Sequence, residues 1–286
     1  MAGNDAVTIR RKGGLLKSAV LLLLAAAFVG FCLFPFYIML TTAVKTNAQI
    51  AAWPPVWAFE PTFKNLQEAI FVSGGRSSLS FTINSVLITI VSTAFSLLLG
   101  GMAAYGLARF RFRGSRDVAF FILSTRFAPA VAFVIPVYVI VQKLGFLDTR
   151  IALIVIYTGA NIAFVTWLLR GFFAEIPREV EEAALVDGYS HIQIFWRVAV
   201  PLVRPGIVTT AILTAVFSWN EFLYAMILTQ NRAATLPVYL AQFSGSTYPV
   251  WDQYMAVGLL AVVPILIATV WLQKHLVRGM TFGAVR

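Results

Sequence analysis

Glu181-Glu182-Ala183-Ala184-Leu185-Val186-Asp187-Gly188-Tyr189-Ser190-His191-Ile192-Gln193-Ile194-Phe195-Trp196-Arg197-Val198-Ala199-Val200-Pro201 is the one long charge-bearing stretch in the second half of an otherwise apolar chain. It reads as two short helices joined by a hard stop. Pro177 fits a first helical position, where its missing N–H costs nothing. Glu179, Glu181 and Glu182 load the first turns with negative charge, which suits the positive end of the helix dipole. Gly188 is the left-handed residue expected just past the helix end. Ser190 and Gln193 form a capping box that starts the second helix, and Pro201 and Pro205 close it. Ile192, Phe195, Trp196 and Ala199 follow helical spacing and give that helix one apolar face. A helix lying on the membrane surface carries Lys and Arg on its polar side. This elbow is acidic, and anionic headgroups would repel it. The residues therefore point to a protein partner.

The elbow sits between apolar runs, and the rest of the chain says what those runs are. The 286 residues are 59% hydrophobic and 12% charged, with mean hydropathy +0.83, which is the composition of an integral membrane protein. Six apolar runs are long enough to span: about Ala19 to Leu40, Phe81 to Leu107, Val118 to Val141, Ile151 to Leu169, Gly206 to Leu228 and Tyr254 to Leu272. The first follows a basic start, as a secretory signal does. It exceeds the roughly 7–15 apolar residues of a signal, and no small-x-small cleavage site follows, so it is a span. Pro129 and Pro136 predict kinks in the third. Gly100 and Ala104 give the second the small-x-x-x-small spacing of close helix packing. Segment 42–79 is a proline- and tryptophan-rich loop suited to the membrane–water boundary.

The net charge of +10 does not form a nucleic-acid-binding patch with interleaved aromatics. With both ends inside, the inner segments hold fifteen Lys and Arg residues and the outer segments six, a bias of the positive-inside kind. The basic cluster at Arg109, Arg111, Arg113 and Arg116 reads as a cytoplasmic anchor. A single cysteine, Cys32, excludes an internal disulfide, and His191 and His275 have no metal-ligand spacing. No phosphate-binding loop of the Gly-x-x-x-x-Gly-Lys-Ser/Thr kind is present, so the chain has no visible means of hydrolysing ATP.

The spacing Glu182-Ala183-Ala184, three residues, Gly188, nine residues, then Val198-x-Val200-Pro201 resembles the coupling loop of permease subunits of ABC importers. Asn84-Ser85, Ala104-Tyr105 with Ala108-Arg109-Phe110, and Trp219-Asn220-Glu221-Phe222 are similar to the carbohydrate branch of that family, and the tail Arg278–Arg286 to the maltose-type second permease. Phe282 departs from the pattern, standing where that tail carries a small residue. The resemblance implies an all-α, six-helix type I permease fold with both termini cytoplasmic, in a bacterial inner membrane. It divides the chain into an N-terminal segment 1–79, a permease core 80–275 containing the loop 171–205, and a tail 276–286. The implied partners are a second homologous permease, two ATP-binding subunits that hold ATP and Mg, an extracytoplasmic binding protein and a sugar or sugar alcohol. No cofactor is implied on this chain. Glu182, Ala183, Ala184, Asp187, Gly188, Phe195 and Pro201 become the implied contact with the ATPase.

Polar groups at membrane depth are the remaining clue, because a charge there costs about 2.5–3.5 kcal/mol on insertion scales. Glu221 and Arg126 must face protein or water. Each fits two roles, lining a solute path or bracing helices. Asn84, Asn161 and Asn220 fit the same two roles, and Trp219 fits either stacking on a sugar or packing. A self-sufficient secondary transporter or channel would show inverted repeats and an ion site, and none is evident in the sequence. An importer permease for a non-carbohydrate solute stays open. A membrane enzyme finds no nucleophile–base set.

Overall fold

The computed structural model describes residues 5–71, 77–110, 112–244 and 251–281, with side chains described over 17–71, 77–110, 112–243 and 251–270. In chain order the helices are α1 (Asp5–Ala43), α2 (Asn47–Ala51), α3 (Lys64–Phe71), α4 (Ser78–Arg109), α5 (Ser115–Thr125), α6 (Ala130–Lys143), α7 (Arg150–Ala174) and α8 (Arg178–Val186). Then come α9 (His191–Ile194), a π-helical turn (Phe195–Ala199), α10 (Val200–Leu202), α11 (Arg204–Trp219), α12 (Leu223–Leu228), α13 (Leu236–Ser244) and α14 (Trp251–Thr281). The described residues contain no strand. The end of the tail, Phe282 included, lies outside them.

Among the described residues, four helical stretches are long and apolar enough to cross a membrane: Lys17–Ala43, Ser78–Arg109, Arg150–Ala174 and Trp251–Val270. Two bent pairs, α5 with α6 at 87° and His191–Leu202 with α11 at 81°, bring the number to as many as six where each pair counts as one span. The fold is thus the six-span, all-helical one expected, but the third and fifth spans are interrupted. The third breaks outright between Thr125 and Ala130, because Pro129 has no N–H to continue the ladder and takes an extended ψ of 123°. Pro136 stays inside α6. The expected fifth span, Gly206 to Leu228, stops at Trp219 and restarts at Leu223.

The centre of the bundle is the pair α4 and α7, joined on one side by α11. Gly100 makes this contact possible. A Cβ there would stand 2.7 Å from Cγ1 and 2.9 Å from Cβ of Val165. A β-branched side chain fixed in a helix cannot swing aside. Ala104 is fully buried on the same seam. Gly100→Ala is expected to destabilise the bundle by about 1–3 kcal/mol, read as a lower melting temperature in detergent.

Hydroxyls cross-link the seam. Ser96 Oγ donates to the Thr158 carbonyl at 3.3 Å, Thr166 Oγ1 to the Gly100 carbonyl at 3.3 Å, and Ser92 Oγ lies 3.4 Å from Ser218 Oγ. Small residues and hydroxyls hold helices together in lipid, where apolar burial between them gains little. Two apolar clusters flank the seam. One gathers Phe81, Leu153, Tyr157, Trp219, Leu236 and Val257, and the other Tyr105, Val165, Leu169, Phe173, Phe195 and Val203. α1 lies along α14.

Candidate functional site

The elbow folds largely as local rules require. Ser190 accepts from the Gln193 N–H while the Gln193 side chain accepts from the Ser190 N–H, so the capping box is complete. Gly188 has φ +86°, in the left-handed region. Two details differ from expectation. Pro177 precedes the helix as its cap, with ψ 137°, and Arg178 is the first helical residue. Pro201 does not close the second helix, which runs on to Leu202 through the π-helical turn. There the Val200 N–H bonds back to the Phe195 carbonyl, five residues earlier, and this widened turn accommodates the proline.

The 81° bend sets this second helix almost at right angles to α11. Its apolar stripe divides: Phe195 and Ala199 are buried in the second cluster, whereas Ile192 and Trp196 stay exposed. Phe195 therefore seats the loop against this chain's own core. Glu182, Ala183, Asp187, Gly188 and Pro201 are exposed and Ala184 is buried. Val186, 88% exposed, and Ile192, 73% exposed, crown the knuckle with apolar surface among acidic groups.

One buried, paired group escaped sequence reading. Glu181, not Glu182, turns inward and is 9% exposed. Its Oε1 accepts from Arg109 Nε at 2.7 Å and its Oε2 from the Tyr105 hydroxyl at 3.1 Å. Arg109 also donates to the Ile176 carbonyl at 2.9 Å. Arg109 is thus more than a membrane anchor. The Tyr105 ring packs against Phe173 and Phe195 at centroid distances of 5.5 and 5.2 Å.

Deeper in the chain, the break between α5 and α6 faces the break between α11 and α12 across α7. A cavity of about 870 Å³ opens there, walled by Arg126, Asn161, Asn220 and Glu221 together with Phe217 and Tyr224. Four of the six sequence candidates for a solute path therefore meet. Arg126 reaches the Ala160 carbonyl at 3.3 Å and lies over the Phe217 ring at 4.9 Å. Glu221 takes the role of a helix cap: its carboxylate accepts from the Tyr224 N–H at 3.1 Å and the Ala225 N–H at 3.3 Å. That bonding makes the interruption of the fifth span tolerable at membrane depth. Asn161, 3% exposed, donates to Ser218 Oγ at 3.1 Å and to the Tyr157 carbonyl. Asn220 is exposed, bonded to the Val216 carbonyl.

The other two candidates sit elsewhere. Asn84 is buried, donates to the carbonyls of Arg232 and Ala234 at 2.9 Å, and accepts from Arg150 Nε at 2.7 Å. It braces a loop. Trp219 is buried with its indole N–H on the Ala261 carbonyl at 3.1 Å, which ties α11 to α14. Close to Asn84 lies a second feature that sequence reading missed. Asp148, at φ +54°, accepts from four successive backbone N–H groups, Gln230 to Ala233, at 3.0–3.2 Å. Successive N–H groups of this kind form an anion-binding nest. Burial alone would raise the Asp148 carboxyl, but the donors of Arg232, Gln230, Ala233 and Asn231 outweigh it and hold the group below 3.8.

A bundle with two broken spans around a cavity that carries polar groups in an apolar wall, and a crosswise knuckle at one end, defines a membrane transport permease. The chain matches the family of binding-protein-dependent transport system inner membrane components over residues 96–282 and belongs to it. It is similar to the probable ABC transporter permease protein y4oR of Sinorhizobium fredii, 35% identical over 254 residues, 89% of this chain and 90% of that one. It is also similar to the diacetylchitobiose uptake system permease protein DasC of Streptomyces coelicolor, 34% identical over 263 residues, 91% of this chain and 93% of that one. Among solved structures it resembles a chain of a bacterial ABC transporter involved in the import of the acidic polysaccharide alginate, with TM-score 0.73, 25% identity, and 92% and 96% of the two chains covered. The protein is an ABC importer permease, a transport subunit rather than an enzyme.

Proposed function

We propose that this chain imports a sugar or sugar alcohol across a bacterial cytoplasmic membrane as one of two permeases in a binding-protein-dependent importer. Two ATP-binding subunits hold ATP and Mg and dock beneath, an extracytoplasmic binding protein delivers the solute, and both termini of this chain face the cytosol. Glu182, Ala183, Asp187 and Gly188 form the contact with an ATPase subunit, Ala184 is buried behind them rather than part of it, and Pro201 stands exposed at the far end of the elbow. Phe195 holds that contact in place from inside. The observation that carries this is the knuckle itself: Val186 and Ile192 stand exposed beside Glu182 and Asp187 on a loop lodged in the chain's own core. The small, exposed side chain of Ala183 lets a partner approach, and Glu182 offers a carboxylate to a cation or backbone donor.

For the solute, support comes from the cavity and the relatives. Arg126, Asn161, Asn220 and Glu221 with the Phe217 ring present hydrogen-bonding groups beside an aromatic face, a combination suited to hydroxyl-rich rings. A relative is named for diacetylchitobiose and a structural neighbour for alginate, both saccharides. The path opens outward and inward in alternation as the ATPase pair closes and parts.

Co-purification from native membranes tests the assembly, and ATPase assays on the purified complex against a panel of sugars test the solute. The expected result is a second permease, ATPase subunits and a binding protein in the complex, with turnover stimulated by a saccharide-loaded binding protein. Flux of solute through this chain reconstituted alone would overturn the reading.

A further inference from the structure

We propose that Glu181 is the positioning residue that locks the knuckle to α4, so that movement of the knuckle is delivered to the cavity wall through the second span. This rests on the reading that the knuckle docks on an ATPase subunit.

The knuckle has covalent links to α7 through residues 175–177 and to α11 through Val203, where the chain bends by 81°. Each is a break in the helix whose dihedral angles can absorb part of a displacement. The Glu181 cluster supplies a further link, made by side chains to a third helix. The Arg109 and Glu181 side chains are 8% and 12% exposed and meet at 2.7 Å. Arg109 is also fixed to the Ile176 carbonyl just ahead of α8. The Tyr105 hydroxyl closes the cluster on Glu181, and its ring is wedged between Phe173 of α7 and Phe195 of the π-helical turn. α8, the residue just ahead of it and the π-helical turn thus converge on one turn of α4.

α4 then carries the displacement as a rod. It is an uninterrupted helix from Ser78 to Arg109. From Tyr105 to Ser92 it rises about 20 Å at 1.5 Å per residue. Ser92 meets Ser218 Oγ at 3.4 Å, and Ser218 holds Asn161 at 3.1 Å. Ser218 and Asn161 are both cavity wall. Burial makes the cluster two-state rather than compliant. A paired carboxylate and guanidinium in a dry site either stay together or leave an uncompensated charge. Glu182, one residue on, points outward and is free for the partner, so adjacent glutamates divide the work between docking and transmission.

The test uses the assembled complex of this chain, its second permease and the ATPase subunits in lipid vesicles. A Cys32→Ser, Ala160→Cys background places one thiol on the cavity wall. Its labelling rate by a small maleimide, with and without ATP and vanadate, reports opening whatever solute is carried. Glu181→Gln is expected to retain copurifying ATPase subunits yet shrink the nucleotide-dependent change in labelling by about tenfold. Tyr105→Phe, which keeps the ring, is expected to give a smaller loss. A full labelling response in Glu181→Gln overturns the proposal.

Should Glu181→Gln fail to assemble, the paired variant Glu181→Gln with Arg109→Met removes both charges and relieves the orphaned cation. If the pair assembles without responding to nucleotide, the proposal stands. If it responds fully, or also fails to assemble, the cluster serves folding and the proposal is overturned. A background without any nucleotide response, its ATPase subunits absent, overturns the docking reading and this inference with it.

Discussion

Gly188→Asp is expected to leave the chain folded and inserted while solute uptake falls by about a hundredfold. The residue stands at φ +86°, and a Cβ built there meets nothing within 4 Å. Within this chain, therefore, the new side chain has open space. The left-handed conformation costs an L-residue about 1–2 kcal/mol, and Asp is among the side chains that visit it most readily. Own-chain strain is too small to unfold a bundle built on the α4–α7 seam. A seated partner changes the balance. The added carboxylate joins those of Glu182 and Asp187, and burying it unpaired against another protein costs several kcal/mol. Gly188→Asn separates the two contributions, because it shares the backbone tolerance and lacks the charge. The checks are membrane content by immunoblot, ATPase subunits retained on the purified permease, and uptake by whole cells. Normal uptake in Gly188→Asp would remove the knuckle from the coupling path.

How much of the fold and site is legible in the sequence depends on whether the relevant partner is near in the chain. The capping box of Ser190 and Gln193, the left-handed Gly188 and the six apolar runs all obey rules that act within a few residues, and they read directly. The Gly100–Ala104 pair is visible as spacing, but that Val165 fills the space beside Gly100 follows only from the packed helices. Pro129 announces a distortion, and the structure shows a full break. Glu221 reads in the sequence as a lone charge in a membrane. Its carboxylate instead caps the restarted helix, a role hidden because the N–H groups it satisfies are freed only once the span has broken.

Glu181 and Glu182 look alike in the sequence. Which of them faces inward is decided by the rotation of α8 relative to Arg109, 72 positions away. Asn84 shares its residue type, and Trp219 its aromatic character, with cavity-lining side chains, and only the fold shows that one holds a loop and the other pins α11 to α14. Asp148 is silent for a different reason. Its ligands are backbone N–H groups, which every non-proline residue carries, so no pattern of side chains betrays them.

That silent aspartate supports the second large effect. Asp148→Ala is expected to release the loop between α12 and α13, raising amide exchange across Gln230 to Ala233 by roughly tenfold or more, as the loss of charge-assisted bonds of about 1.5–3 kcal/mol each would do. The carboxylate is the common acceptor for all four N–H groups, and among the described residues no other side chain is bonded to them. The same loop is held from below by Asn84 on the Arg232 and Ala234 carbonyls and by Ser85 Oγ on the Leu236 N–H. Loss of Asp148 therefore frees the outer edge of the loop and leaves its inner edge fixed. Acid has the same effect, with a sign set by the direction of the shift. Because the folded-state carboxyl titrates below its ordinary 3.8, the clasp contributes fully above that value and is lost as pH falls through the lower, folded-state one. Protection of the loop amides, taken as exchange relative to the intrinsic base-catalysed rate at each pH, should thus be flat between about pH 7 and pH 5 and fall only in stronger acid. Asp148→Asn should show the fast rate at neutral pH with no acid step, since its amide neither titrates nor offers the nest a charge. An acid step in the Asn variant matching that of the unaltered chain would assign the titration to another group and dissolve the clasp.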